Sequence, residues 1–173
     1  MGELRDLADA KIYAKRNALL SSLHDDCESV KASYAARGMA LSGETLVAIT
    51  GVCSMALESL HDEITTQYKW AIAQSLVGGQ RFVDELVGAT QVNAAPLLSS
   101  CIGRVKREGA SLALPQNAVS ECCNLLSAKN VRACADVALA LRSTFAELKR
   151  HRVRNIFGTV SGQVSRLFGG RGN

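Results

Sequence analysis

Apolar residues recur along this chain in steps of three and four, the spacing that lines one face of an α-helix. Leu20, Leu23, Cys27, Val30 and Tyr34 form one such stripe, in a helix predicted from about Leu4 to Arg37. Gly38 and Gly43 interrupt the pattern, and Ser42 is placed to cap the next helix. A second stripe, Ile49, Cys53, Leu57, Leu60, Ile64 and Tyr68, predicts a helix from about Gly43 to Val77. At 1.5 Å per residue it would be roughly 50 Å long. Two such helices joined by a short loop read as an antiparallel hairpin.

After Gly78 and Gly79 the signals come closer together. Phe82, Val83, Leu86 and Val87 predict a short helix. Asn93 is a candidate cap for another, with Pro96 in its first turn, where a missing N–H is tolerated. Gly109 to Pro115 reads as a loop and Ala118 to Leu126 as a further short helix. Asn130 then opens a longer one to about His151 along Cys134, Val137, Leu141, Phe145 and Leu148. No segment alternates as a β-strand does. The expected fold class is all-α: a long antiparallel helical hairpin plus shorter helices in a bundle over residues 1–151.

Residues 152–173 are expected to form a separate basic, amphipathic tail. Ile156, Phe157, Val160, Val164, Leu167 and Phe168 keep helical spacing, and Arg150, Arg152 and Arg154 cluster just before them. Gly158, Gly162, Gly169 and Gly170 each weaken a helix by about 1 kcal/mol, so a covered apolar face is needed to hold it.

Composition sharpens this picture. Apolar residues make up 47% of the 173, but aromatics only 5%, so close packing must come from alanine and aliphatic side chains. Residues 1–100 hold 8 Lys/Arg and 12 Asp/Glu, whereas 101–173 hold 12 and 4. From Lys149 onward there are six basic residues and no acid, which points to an anionic partner for that end. Met1 to Asp6 is polar and charged, unlike a signal peptide, and no uncharged apolar run reaches the ~20 residues of a bilayer span. A cytoplasmic protein is expected, in which Cys27, Cys53, Cys101, Cys122, Cys123 and Cys134 stay free and fill space as small hydrophobes.

Candidate chemistry is sparse. Glu58 and His61 stand at i and i+3, the half-site that ferritin-like metal centres use twice. The matching position before His24 is Ser21, so the other half is missing and no metal or cofactor is expected. His24 and Cys27 are the only Cys/His pair close in sequence, and neighbours one turn apart seldom reach the geometry of nucleophilic catalysis. Gly78-Gly79 lacks the Gly-Lys-Ser/Thr ending of a phosphate loop. These readings point away from an enzyme.

Two internal echoes stand out. Leu20 to Asp26 recurs as Leu57 to Glu63. Glu85-Leu-Val-Gly-Ala-Thr-Gln-Val-Asn-Ala94 aligns without gaps on Asn124-Leu-Leu-Ser-Ala-Lys-Asn-Val-Arg-Ala133, each reading as helix end, polar break and helix start. This second pattern resembles the phasins, the proteins that coat polyhydroxyalkanoate granules in bacteria. Asn124 to Lys129 is similar to their Leu-Leu-small-Ala-Lys stretch. Asp136, Leu139, Leu141 and Phe145 are similar to the helix that follows it, and Phe82 to Ala89 to the segment before the break. Val92 and Val131 stand where the family often has proline, and Arg142 where it has glutamine.

The resemblance implies a helical, often oligomeric coat protein without catalytic residues. The expected function is therefore a structural protein covering a hydrophobic granule or anionic membrane surface, forming homo-oligomers. Its binding residues would be Arg150, Arg152, Arg154, Ile156, Phe157, Val160, Val164, Leu167 and Phe168. Two alternatives use the same tail. One is a helical adaptor or assembly subunit docking a partner protein. The other is a nucleic-acid-associated protein, for which the charge is present but no recognition motif is.

Overall fold

The computed structural model describes residues 2–39, 42–75 and 79–168, with side chains as far as His151. Four helices account for nearly all of it: α1 (Gly2–Ala35), α2 (Gly43–Gln74), α3 (Gln80–Ser111) and α4 (Gln116–Phe168). No strand occurs among the described residues, so the fold is an all-α bundle. No described helix is long and apolar enough to cross a membrane.

Local chemistry explains several boundaries. Gly38 adopts φ 75°, the left-handed conformation that costs glycine little and lets the chain leave α1. The Ser42 side chain accepts a hydrogen bond from the Thr45 amide, capping α2 as its position predicts. Between α3 and α4 only Leu112 to Pro115 intervene, and this tight reversal holds Ala113 at φ 51°.

The two long helices of the hairpin match expectation, but the shorter helices of the second half are joined into two long ones. Pro96 lies inside α3 rather than in a first turn. An interior proline removes a hydrogen bond to the carbonyl four residues earlier, here that of Val92. Val92 is exposed, so water can solvate that carbonyl, while Ala94, Leu97 and Cys101 bury the opposite face. Asn93 does not cap. Its side chain instead donates to Asp9 Oδ1 (3.1 Å) and to the Tyr68 hydroxyl (2.9 Å). Likewise Asn130 starts no helix. It is buried midway along α4, between Leu126 and Val137 on the core-facing side. Packing along a whole face outweighs a local capping preference.

The second echo therefore spans helix interior in both copies, with no break. Its positions are not equivalent either: Leu86 is buried and its counterpart Leu125 is exposed.

Side-chain pairings give the layout. Tyr68 on α2 meets Asp9 on α1, and Cys53 meets Cys101 on α3, both antiparallel. Glu58 and His61 on α2 meet Lys129 and Cys134 on α4, so these two run parallel. α2 and α3 occupy the middle, and α1 and α4 flank them without packing on each other among the described residues. Cys27, Cys53 and Cys101, one from each of α1, α2 and α3, are fully buried and free. The neighbouring Cys101 thiol, and then burial, hold the Cys53 thiol up at about 12, so it stays protonated as a small apolar group.

Two polar clusters lock the helices near opposite ends. At one, the Tyr68 hydroxyl donates to Asp9 Oδ1 at 2.6 Å and Asn93 bridges both. Burial, and then the Asp9 carboxylate, push the Tyr68 hydroxyl well above its usual range. At the other, Arg104 Nη2 approaches Glu28 at 2.6 Å and Lys31 lies 3.1 Å from the buried Glu108. Arg104 Nε is 3.2 Å from Glu108, near enough for charge attraction though not aligned for a hydrogen bond.

Candidate functional site

Helix α4 is 53 residues long, against 32 to 34 for the others, and the pairings show where the excess lies. Arg142 pairs with Asp84 across the antiparallel α3–α4 contact, and α3 begins four residues before Asp84. His61 is level with Cys134, and parallel α2 ends 13 residues beyond His61. Both measures put the end of the bundle near residue 147. Leu148 still packs on the core from a partly buried position. The remaining positions, 149 to 168, run past the ends of α1, α2 and α3 for about 30 Å of helix.

The predicted binding residues belong to this overhang. Arg150 is exposed just past the end of the bundle. Arg152, Arg154, Ile156, Phe157, Val160, Val164, Leu167 and Phe168 occupy its backbone positions, and their side chains lie outside the described residues. The boundary drawn between residues 151 and 152 falls inside a continuous helix.

Helical register adds what the apolar spacing alone did not show. The core-facing line of α4 runs Val119, Cys123, Leu126, Asn130, Val137, Leu141 and Leu148. Carried on in the same steps it meets Arg152, Asn155, Thr159, Gly162 and Arg166, none of them apolar. The solvent-facing line runs Leu125, Ala128, Ala135, Leu139 and Ala146, with Val131 beside it. Carried on, this outer line meets positions 153, 157, 160, 164 and 168, which are Val, Phe, Val, Val and Phe. The apolar positions of the overhang thus continue the outside of the bundle rather than its core.

The Glu58–His61 half-site does not form as its spacing suggests. Proximity in sequence pairs His24 with Cys27, but His24 is exposed, with Nδ1 4.0 Å from Glu28, while Cys27 is buried. The structure instead brings His61 to Cys134, 73 residues away, with Nε2 3.6 Å from Sγ. His61 Nδ1 lies 2.8 Å from the Leu57 carbonyl, which can only accept, so Nδ1 carries the proton and Nε2 receives the thiol. Burial pushes the Cys134 thiol up, so it stays protonated. Glu58 turns away to Ser54 (3.0 Å) and Lys129 (3.3 Å), whose contacts hold its carboxyl below the usual range.

An open groove of about 280 Å³ passes over His61, between Asp62 and Thr65 on α2 and Asp136 and Ala140 on α4. No three His, Cys, Asp or Glu side chains converge as metal ligands among the described residues. In the sequence Cys134 showed only as a member of an apolar stripe and His61 only as the partner of Glu58, since nothing local joins His61 to Cys134.

Fold and site together define an antiparallel four-helix bundle whose last helix overshoots it with a basic, apolar-spaced end. No family model, curated protein or solved structure matches the chain.

Proposed function

We propose that this protein is a non-catalytic coat protein of the phasin type, holding a hydrophobic granule or anionic membrane surface through the far end of α4. One observation supports this above the others: α4 outruns its bundle partners over positions 149 to 168, which carry five basic residues and no acid. A basic patch beside an apolar face suits the boundary between water and an anionic or apolar surface. Burying the six apolar side chains from Ile156 to Phe168 contributes about 1.5–3 kcal/mol each before ordering costs, enough to offset the glycines at 158 and 162. The cationic end guides the approach and the apolar positions hold the contact.

The test is co-sedimentation with granules or anionic liposomes. Replacing Phe157 and Phe168 together by Asp should release the protein into the supernatant. Co-sedimentation equal to that of the unaltered chain removes the overhang as the anchor.

A further inference from the structure

Of the eight large apolar side chains most exposed on the described surface, α4 carries three, Leu125, Val131 and Leu139, and the latter two are about 70% exposed. They share one side of the helix, and the apolar positions of the overhang continue that side in register. The core-facing line lies on the other side of α4, and the overhang positions in register with it are Arg152, Asn155, Thr159, Gly162 and Arg166. By position, the apolar spacing from Leu125 to Phe168 keeps to one side in a track along about 65 Å of helix, half on the bundle and half beyond it.

We infer that the whole outer face of α4, from Leu125 onward, is a docking surface for anionic phospholipid, on which the closed bundle lies along its length. The inference rests on the surface-binding function proposed above and extends it to residues outside the tail. Charge selects the occupant. Arg132, Arg142, Lys149 and Arg150 border the track against Glu121, Asp136 and Glu147; Arg142 also pairs with Asp84, and from Lys149 onward the sequence has basic residues and no acid. A second copy of the chain would have to lay this basic edge against itself, whereas anionic headgroups complement it and the acyl region receives the apolar line. The bundle need not open, because its buried residues face away from the track. Arginine and lysine stems suit this position, covering apolar surface while their charged ends reach headgroups.

The experiment uses the full chain and vesicles of phosphatidylcholine with or without phosphatidylserine. The unaltered protein should bind the serine-containing vesicles and only weakly the neutral ones. Val131→Asp combined with Leu139→Asp, both at exposed positions, should weaken binding at least about tenfold while the thermal midpoint stays unchanged. Hydrogen exchange on vesicles should leave the core amides of α1, α2 and α3 as protected as in solution.

Binding by the double variant equal to that of the parent, while Phe157→Asp with Phe168→Asp releases the protein, would overturn the inference and leave the proposed function standing. Loss of protection in the core amides on vesicles would also overturn it, as would a lack of preference for phosphatidylserine. Self-association that the double variant abolishes would reassign the face to a second copy.

Discussion

The two parts of α4 differ more from each other than α4 differs from the other helices. As far as Leu148 it is an ordinary bundle helix, with Leu126 and Leu141 fully buried and Leu139 turned outward at 70% exposure. Beyond Leu148 the apolar spacing persists but moves to the opposite side, and the core-facing line becomes polar. One helix thus carries two apolar stripes on different sides. Spacing alone shows that a face exists, while register against a neighbouring segment shows where that face is aimed.

Truncating neighbours on the two sides of α4 should give the largest difference in stability. Leu141→Ala should destabilise the fold by about 2–5 kcal/mol, since it empties a fully buried site. Leu139→Ala, two residues away, should stay within about 0.5 kcal/mol. Urea unfolding of both variants measures the difference, and equal losses would mean that the outer line is also covered.

A smaller effect is expected where the bundle half of α4 begins. Gly109 on α3 packs directly against Val119, and a methyl group there would collide with its side chain. Valine is stiff about its first torsion, so the helices must part. Gly109→Ala should cost about 1–3 kcal/mol in thermal or urea unfolding, with vesicle binding through the overhang retained.

The smallest effect concerns the tie between α4 and α2. Glu58 has its carboxyl held below 4.5 by Ser54 first and Lys129 second. A depressed carboxyl contributes stability that is complete above the unfolded value and is lost as pH falls through the folded one. Both partners are largely solvent-exposed, so the contribution is at most about 1 kcal/mol. Glu58→Gln should lower the urea midpoint slightly at pH 7, and the gap should close as the pH falls below the ordinary carboxylate range. A gap that stays constant across that range would rule out the ion pair as its source.

Much of the fold was legible because its signals are local or periodic. The stripe from Ile49 to Tyr68, the Ser42 cap and the turn at Gly38 all appear where residue type and spacing put them. The misplaced boundaries share a cause. Asn93, Pro96 and Asn130 look like helix starts on their own, but each sits in a helix held by partners far away in sequence. Asn93 answers to Asp9 and Tyr68, and Asn130 is buried on a helix that packs on α2 and α3. The His61–Cys134 contact was hidden for the same reason. The position of the overhang was half legible: its composition was plain, but its direction required the bundle to end near residue 147.

The polar clusters near the two ends of the bundle carry a mechanical consequence. Asp9, Tyr68 and Asn93 fasten one end, and Glu28, Lys31, Arg104 and Glu108 fasten the other. Both include α1 and α3, so sliding either helix by one turn, about 5.4 Å, would unfasten both at once. Two pins in a shaft forbid the travel that one would allow. Helix α4 therefore packs against a body of fixed register rather than a stack of rods free to ratchet.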